Sequence, residues 1–206
     1  EGVVAQAISA GAALWLGSRP ESAEVNEDGV SLVVDRRGQS TPVTCKLLCG
    51  ADGAHSWVRR NFRMGRPKEM MVGFQAEVVG YRGADGYLDM YTGEEVAPGL
   101  FAWVIPSGQS SRIGVWSRPE DLNGRSCEQL YDALLAHPLW EERFKNCKEV
   151  ARYCGPLPCG VVAKPSKERV ALFGDAAGLC KPTTGGGIGP GFVQVDKLAG
   201  PLVEAI

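Results

Sequence analysis

One carboxylate near the end of the chain stands among small residues in a pattern suited to ligand binding. Asp175 lies in the run Phe173-Gly-Asp-Ala-Ala-Gly178, directly after a short apolar segment that predicts a buried strand. A carboxylate in that place can accept hydrogen bonds from a sugar-like hydroxyl, and its small neighbours let a ligand approach closely. Asp175 is therefore the strongest candidate for a binding residue.

A glycine-rich loop follows this carboxylate and leads into a helical pattern. Gly185, Gly186 and Gly187 stand in a row, between Pro182-Thr-Thr and Ile188. Glycines before a helix expose backbone N–H groups at its positive end, where an anion or a developing negative charge is favoured. An isolated glycine triplet would indicate an ordinary loop. Here the order of strand, glycine-rich turn and helix is one that binds ligands in α/β folds.

The whole string from Gly174 to Ile188 resembles the second FAD fingerprint of a large flavoprotein family, which includes aromatic hydroxylases, halogenases and geranylgeranyl reductases. The resemblance implies that FAD is the cofactor and that Asp175 binds its ribityl chain. It also implies that the loop after Pro182 lies against the isoalloxazine. Its cofactor-binding residues would be Gly174, Asp175, Pro182, Gly185, Gly186, Gly187 and Ile188.

A second resemblance lies far upstream, in Gly50-Ala-Asp52-Gly53-Ala-His-Ser-Trp-Val-Arg59-Arg60. This stretch looks like the family's Asp-Gly fingerprint, whose Asp lies near the FAD pyrophosphate and ribityl region and steadies the loop there. Asp52 and Gly53 are therefore expected to contribute to the cofactor site. Arg59 and Arg60 could equally be plain surface charges.

A third stretch narrows the family. The stretch Phe101-Ala-Trp103-Val-Ile105-Pro106, followed by Gly114, is similar to the aromatic-x-Trp-x-aromatic-Pro…Gly-x-Gly pattern of geranylgeranyl reductases. In those enzymes the pattern lines the prenyl-binding cavity. The implied substrate-binding residues are Phe101, Trp103, Ile105, Pro106 and Gly114. Alternation along a strand would place the two large rings on one face, as an apolar wall for an isoprenoid chain. The other interpretation of these rings is that they only fill the core.

The third stretch departs from the family pattern at three positions. Phe101 stands where Tyr is usual, Ile105 where Phe is usual, and Trp116 where the second Gly is usual. A Trp in place of Gly could shorten or reshape the cavity. A related Trp-x-Trp-x-Ile-Pro pattern occurs in flavin-dependent halogenases, but the Thr-Thr-Gly-Gly-Gly loop resembles reductases more closely.

The composition fits a globular protein that binds a small molecule. The chain has 206 residues, 44% of them hydrophobic, and a net charge of −2 with scattered Lys and Arg. That balance argues against binding nucleic acid through phosphate neutralisation. No apolar run is long enough to span a bilayer. Seven cysteines, an odd number, favour free thiols and a cytoplasmic location, and a lipid substrate would be compatible with peripheral membrane contact.

Metal binding is not expected. Cys45 and Cys49 lie four positions apart with no histidine nearby, and the Cys154–Cys159 gap lacks the spacing of a zinc site. His55 and His137 have no ligand partners at useful spacing, so a structural role is predicted for both.

Several short elements must position these residues. Turn residues and apolar runs predict a first helix at 3–10 that stops at Gly11, and then four strands at 12–16, 22–26, 30–35 and 42–49. Runs at 70–80, 86–92, 100–106 and 111–117 predict a second, antiparallel sheet. Ser126 and Gln129 predict a capping box, with the helix restarting at 139–144 after Pro138. A buried strand at 168–174 and a helix at 191–206 complete the chain.

The predicted fold class is α/β (α+β), a truncated FAD/NAD(P)-binding flavoprotein fold with an antiparallel substrate lobe. Residues 1–64 would form part of the FAD-binding domain, 65–160 the substrate-binding lobe, and 161–206 the FAD-binding strand, loop and helix. No Gly-x-Gly-x-x-Gly follows an opening strand, so the ADP half of FAD has no visible cradle. We expect these 206 residues alone to bind FAD weakly.

The family resemblance implies an FAD-dependent oxidoreductase that reduces isoprenoid carbon–carbon double bonds, with NAD(P)H or ferredoxin as electron donor. No catalytic residue can be assigned, because no convincing general acid is visible. An ordered water or a group outside this sequence could deliver the proton. Two alternatives stay open: an FAD-dependent monooxygenase or halogenase, and a non-catalytic protein that holds a lipid or flavin.

Overall fold

The computed structural model describes residues 2–84 and 86–206, which form a mixed fold of short helices and three sheets. The helices are α1 (Gly2–Ser9), α2 (Trp57–Asn61), α3 (Cys127–Leu135), α4 (Glu141–Phe144) and α5 (Ile188–Glu204). The strands are β1 (Ser18–Asn26), β2 (Gly29–Arg36), β3 (Gln39–Cys45), β4 (Leu48–Gly50), β5 (Glu69–Val79), β6 (Asp89–Gly93), β7 (Ala97–Ser107), β8 (Ser110–Ser117), β9 (Lys148–Cys159), β10 (Ser166–Lys167) and β11 (Val170–Leu172).

The strands are divided among three sheets. One is an antiparallel meander in the order β1-β2-β3, and a five-stranded antiparallel sheet has the order β6-β7-β8-β5-β9. The third is small, in the order β10-β11-β4, and its β4 and β11 run parallel although they are far apart in sequence. The five-stranded sheet lies within residues 65–160, the range expected for a substrate lobe; the domain boundaries themselves stay a prediction.

Two strands predicted in the first part of the chain are wrong. Residues 12–16 form a loop rather than a strand, and the meander begins only at Ser18. Trp15 in this loop lies under the Arg36 guanidinium, 4.0 Å from the ring centroid, instead of joining a sheet. The run 42–49 is not one strand either, because the chain breaks at Lys46 and Leu47 and passes from β3 into β4 of another sheet.

One face of the five-stranded sheet is covered by α3. The helix buries Cys127, Leu130, Tyr131 and Leu134, a stripe at helical spacing, against alternate residues of β5, β7 and β8. The predicted capping box is present: the Ser126 hydroxyl accepts from the Gln129 N–H, and the Gln129 side chain accepts from the Ser126 N–H. The opposite face of the sheet is left for the aromatic residues of β7.

β9 was not predicted from the sequence. It is twelve residues long and, within the five-stranded sheet, pairs only with β5, so it is an edge strand there. Its last residue, Cys159, forms an isolated parallel bridge with Cys180. Pro156 and Pro158 lie two apart on it. Proline is tolerated at an edge because its missing N–H can face away from the neighbouring strand. The strand was not predicted because sequence patterns treat proline as a strand breaker.

Within residues 2–84 and 86–206, no helix is long and apolar enough to cross a membrane. No group of three or more His, Cys, Asp or Glu side chains comes together as a metal site in that part of the chain.

The Trp103 indole lies across Gly114 of the neighbouring strand, and this contact generates a stability prediction. A Cβ at Gly114 would lie 2.2 Å from Cζ2 of Trp103, whereas a Cβ at Gly155 on the same sheet face would meet no atom within 4 Å. We expect Gly114→Ala to lower the free energy of unfolding by about 1–3 kcal/mol, because the ring must shift. Gly155→Ala is the control and should change it by less than about 1 kcal/mol. Equal losses for both variants in urea titrations would contradict this packing.

Candidate functional site

The two glycine-rich stretches singled out in the sequence meet because their strands are parallel neighbours. Leu48–Gly50 pairs in register with Val170–Leu172, and the Phe173 N–H donates to the Gly50 carbonyl at 2.8 Å. The carboxyl ends of parallel strands open at the same edge of a sheet, which is where ligands bind in α/β proteins. The loops that follow β4 and β11 therefore face one common cleft.

This glycine cleft has a volume of about 530 Å³. The sequence predictions Gly53, Gly174, Asp175, Gly185, Gly187 and Ile188 all line it, together with Leu157, Cys180, Phe192 and others. Pro182 and Gly186 are exposed beside it and do not line it. Five of the thirteen lining residues are glycines. Where they lie, the cleft presents backbone rather than side chains, so a planar ligand can approach the main chain closely.

Asp175 is held at the floor of this cleft by a tight turn. It lies in a 3-10 turn at Gly174–Ala177, which ends at Gly178 in the left-handed conformation. The Cys180 thiol donates to Oδ1 of Asp175 at 3.2 Å, and a Cβ at Gly187 would lie 2.7 Å from the same oxygen. The half-buried carboxylate therefore faces the glycine loop, and nothing larger than glycine fits opposite it.

The glycine loop closes on itself before α5. The Gly185 N–H donates to the Lys181 carbonyl at 2.8 Å, and the Lys181 N–H donates to the Gly186 carbonyl at 3.2 Å. Gly187 is the N-cap of α5 and has no side chain to accept from the first turn. The first N–H groups of a helix lack partners within it. The amides at the start of α5 therefore suit a negatively charged or carbonyl oxygen in the cleft.

Asp52 has a structural task at this site. Its Oδ2 accepts from the N–H groups of Trp57 and Val58, at 2.7 and 3.1 Å, and so fixes the start of α2. The Ser56 hydroxyl adds a third bond at 2.9 Å, from the Arg59 N–H. These bonds steady the loop between β4 and α2. Gly53, with a φ of +77°, turns this loop into the cleft.

Arg59 is not a plain surface charge; it is only 7% exposed and connects the two stretches. Its guanidinium donates to the Ala176 carbonyl at 2.8 Å and to the Ala54 carbonyl at 2.5 Å. Burial lowers the pKa of Arg59, while the nearby Asp52 carboxylate acts in the opposite direction. The residue type alone gave no signal of this burial, since arginines in a short helix are usually solvated.

Gln194 is a second residue that the sequence did not reveal. From α5 its Oε1 accepts from the Gly174 N–H at 2.9 Å, and its Nε2 donates to the Leu172 carbonyl at 2.9 Å. The side chain thereby fixes the backbone immediately before Asp175. Its spacing of seven residues from Gly187 and three from Gly191, both cleft residues, was the available signal that it lies on the side of α5 that packs toward the Asp175 turn.

Four of the five residues predicted to bind substrate, all except Pro106, lie on the sheet face opposite α3. Phe101 and Trp103 point to the same side of β7, with ring centroids 6.1 Å apart, and form what we call the aromatic face. Ile105 lies on the same side, nearer the exposed end of the strand. Gly114 lies beneath Trp103, and Pro106 is exposed at the end of the strand. Phe101 and Trp103 are partly exposed and Ile105 is 38% exposed, so this face offers an apolar surface to a ligand.

Trp116 completes the aromatic face and joins it to the glycine loop. It is 1% exposed, packs edge-on against Phe101 at 5.6 Å, and a Cβ at Gly185 would lie 3.4 Å from its ring. Leu157 belongs to the same cluster and also lines the glycine cleft. The indole N–H groups of Trp103 and Trp116 are buried, and neither has a partner among the described residues.

A family model described as "FAD binding domain" matches residues 3–206. The chain is similar to the digeranylgeranylglycerophospholipid reductase of Methanosarcina acetivorans, with 30% identity over 212 residues that cover 97% of this chain and 50% of the relative. It spans about half the length of the curated relatives it matches.

Solved structures show the same fold. A geranylgeranyl bacteriochlorophyll reductase-like protein from Thermoplasma acidophilum matches with a TM-score of 0.81 and 23% identity, over 93% of this chain and 49% of that one. A flavin-dependent brominase matches with a TM-score of 0.76 and 16% identity, over 94% and 51%. The predicted flavoprotein fold and the resemblance to geranylgeranyl reductases are confirmed.

The clamp made by Gln194 should contribute measurably to stability. Gln194→Ala removes both bonds to the backbone before Asp175, so we expect the free energy of unfolding to fall by about 1–2 kcal/mol. Lys197→Ala, at an exposed position of the same helix, is the matched control and should have little effect. The clamp would be disproved if urea titrations gave the same free energy for both variants.

The Cys180 thiol should report the position of the Asp175 carboxylate. Burial raises the pKa of Cys180 from 9.0 to about 12, and the hydrogen bond to Asp175 adds to the shift. The folded protein therefore favours the protonated Cys180 thiol. The stability that this preference contributes is fully present below a pH of about 9 and is lost as the pH rises toward 12. We expect the rate at which iodoacetamide alkylates Cys180 to be still rising at the highest pH at which the protein stays folded. Asp175→Asn should shift this dependence of rate on pH to lower pH.

Mass spectrometry after alkylation would follow each cysteine separately. Cys154 is exposed and serves as the internal control for reagent and pH. Identical Cys180 profiles in the wild type and in Asp175→Asn would show that the carboxylate does not act on this thiol.

Proposed function

This chain belongs to the FAD binding domain family, and from that membership we propose that it forms the flavin- and substrate-contacting part of an oxidoreductase that reduces carbon–carbon double bonds of isoprenoid lipids. The family confirms FAD, the cofactor predicted from the sequence. One observation carries the proposal: the glycine cleft and the aromatic face share a wall, formed by Leu157 and by the contact of Trp116 with Gly185.

The residues of the glycine cleft fit a flavin. Asp175 offers a half-buried acceptor for a ribityl hydroxyl, and the N–H groups around Gly186, Gly187 and Ile188 offer donors for an oxygen of the ring. A Cβ at Gly185 would lie 2.9 Å from Leu157, so a larger residue would disturb the loop that the ring must approach. Gly53 would hold the opposite side of the cleft, and Asp52 would keep its loop in place.

Bound FAD, once reduced, would supply the hydride that adds to one carbon of the double bond. The task of the chain is then to place that bond beside the cleft and to keep water away. Phe101, Trp103 and Ile105 would bind the isoprenoid along the sheet, with Pro106 at the open end and Gly114 making room for the Trp103 ring. The cluster around Trp116 closes the inner end.

No proton donor is assigned to the second carbon. The ionisable side chains that line the glycine cleft are Asp175 and Cys180. Cys180 is a poor acid, because burial and the neighbouring carboxylate hold its pKa near 12. Asp175 is already engaged with that thiol. A water molecule at the mouth of the cleft is the simplest source of the proton.

The substrate class follows from the apolar surface and from the relatives. The relative from Methanosarcina acetivorans is named a digeranylgeranylglycerophospholipid reductase, and the exposed part of the aromatic face is apolar over Trp103, Ile105 and the neighbouring Met90. We therefore propose a prenyl lipid as substrate, with NAD(P)H or ferredoxin as the reductant and a peripheral contact with the membrane that holds the lipid. Residues 65–160 would form the substrate lobe, with 1–64 and 161–206 binding the flavin.

A monooxygenase or halogenase is the second candidate. It is favoured by Trp116, which occupies the inner end of the aromatic face and leaves less room there for a long chain. The Ile105-Pro106 pair also agrees with the halogenase pattern. An enzyme of this class needs oxygen, so turnover without oxygen separates the two candidates.

The test uses the protein expressed from the complete gene and loaded with FAD. After anaerobic reduction with dithionite, we expect a geranylgeranyl phospholipid to reoxidise the flavin, followed by absorbance, with a saturated product. Trp103→Ala should slow reoxidation at subsaturating lipid by about tenfold, since a large apolar contact is lost. Tyr87→Ala, exposed outside the sheet, is the matched control.

Three results would decide against the proposal. Reoxidation only with oxygen, with a hydroxylated or halogenated product, would favour the second candidate. No reoxidation by any prenyl compound under anaerobic conditions, together with no modified product when oxygen is admitted, would favour a protein that binds lipid or flavin without catalysis. Equal rates for Trp103→Ala and Tyr87→Ala would remove the aromatic face from the substrate site.

A further inference from the structure

A second cleft lies on the other side of the Asp-Gly loop and differs from the first in its charge. Its volume is about 600 Å³, and it shares no lining residue with the glycine cleft. Four arginines and His55 line it, with no carboxylate among its lining residues. The chain as a whole carries a net charge of −2. The local charge therefore has the opposite sign to that of the protein, which favours an anionic ligand.

The four arginines are not equivalent. Arg59 is buried and donates to two backbone carbonyls, so its charge already serves the fold. Arg60, Arg63 and Arg66 are exposed, and within residues 2–84 and 86–206 none of them forms a salt bridge. Arg60 donates to the His55 carbonyl. Three guanidinium groups thus lie around one cavity without a described counter-charge. We call the cavity lined by Arg60, Arg63 and Arg66 the basic cleft.

Arg63 occupies a backbone position that normally belongs to glycine. The Met64 N–H donates to the Arg59 carbonyl at 3.0 Å and the Arg63 N–H to the Arg60 carbonyl at 3.1 Å, which is a Schellman ending of α2. Arg63 has a φ of +51°, in the left-handed region where a side chain is unfavourable. Glycine would satisfy the turn better, so the arginine side chain is kept there at some cost to folding.

We propose that the basic cleft binds a phosphate ester or diphosphate group of a small molecule. Guanidinium groups pair with phosphate oxygens through paired, charge-assisted hydrogen bonds. Three of them around one concave site match a group that carries two or more negative oxygens. The group could belong to a soluble phosphorylated compound, such as a nucleotide, or to the headgroup of a phospholipid. The proposal does not rest on the function proposed above, because it concerns a separate cleft of the apoprotein.

Titration of the flavin-free protein, expressed from the complete gene, with inorganic pyrophosphate tests the proposal, with binding followed by calorimetry at low ionic strength. We expect binding that weakens as salt is added. Arg63→Gly and Arg66→Gln should each weaken it by about tenfold or more, because each removes a charged hydrogen-bond donor. Arg19→Gln, which removes an exposed arginine from β1, is the control and should bind like the wild type.

Arg63→Gly also separates binding from folding. Since glycine relieves the left-handed position, the melting temperature of this variant should stay the same or rise while its affinity falls. A variant that loses binding only because it unfolds would show a lower melting temperature, and that result would overturn the role of Arg63.

Two further arms identify the source of the phosphate. If the protein binds pyrophosphate but does not sediment with phosphatidylglycerol vesicles, the ligand is a soluble compound. If it sediments with the vesicles and Arg63→Gly does not, the ligand is a lipid headgroup. Absence of both interactions in the wild type, or equal binding by the variants, overturns the proposal. Displacement of pyrophosphate by FAD would show that the basic cleft is part of the flavin site, which would also overturn it.

Discussion

The pairing of β4 with β11 is the constraint on which the rest of the site depends. These strands have only three residues each, yet they unite sequences more than a hundred positions apart. Their parallel direction opens both following loops at one edge, and the Phe173–Gly50 hydrogen bond continues the pairing into the cleft. Gly50 permits this arrangement because a Cβ there would lie 2.8 Å from Val58 and 2.9 Å from Leu172. The close approach of α2 to the sheet therefore requires glycine.

Such a short pairing needs support from outside the sheet. Arg59 supplies it on one side, since its guanidinium spans from the Ala54 carbonyl to the Ala176 carbonyl. Gln194 supplies it on the other, by holding the backbone on both sides of Phe173 from α5. Side-chain bonds to the backbone fix a loop without occupying the space that a ligand needs. The cleft can thus be lined by glycine and still have a defined shape.

The sequence predicted the parts of the site whose residue types follow from local backbone demands. Gly53, Gly174 and Gly185 have positive φ values, and Asp175 follows a buried strand; these features are readable from a short window. Arg59 and Gln194 escaped prediction because their role lies in contacts with distant backbone, which no local pattern encodes. The loop at 12–16 was predicted as a strand since its residues are apolar, but a strand also needs a neighbour to pair with. β9 was missed for the reverse reason: its prolines look unsuitable, yet an edge strand tolerates them.

The aromatic face shows how one substitution can change the shape of a site without changing the fold. Two glycines at alternate positions of β8 would leave two gaps beneath the rings of β7. Here Gly114 leaves one gap, which the Trp103 indole fills, and Trp116 occupies the other position with its own ring against Phe101 and the glycine loop. The extra indole buries apolar area and stabilises the junction of the sheet with the cleft. It also leaves two buried N–H groups, of Trp103 and Trp116, without partners in the described part of the chain. An unpaired buried donor costs about 1–3 kcal/mol, which offsets part of the stability gained by burying the extra indole. The substitution therefore changes the inner end of the face, where the Trp116 ring meets the glycine loop, and leaves the outer end, at Ile105, exposed.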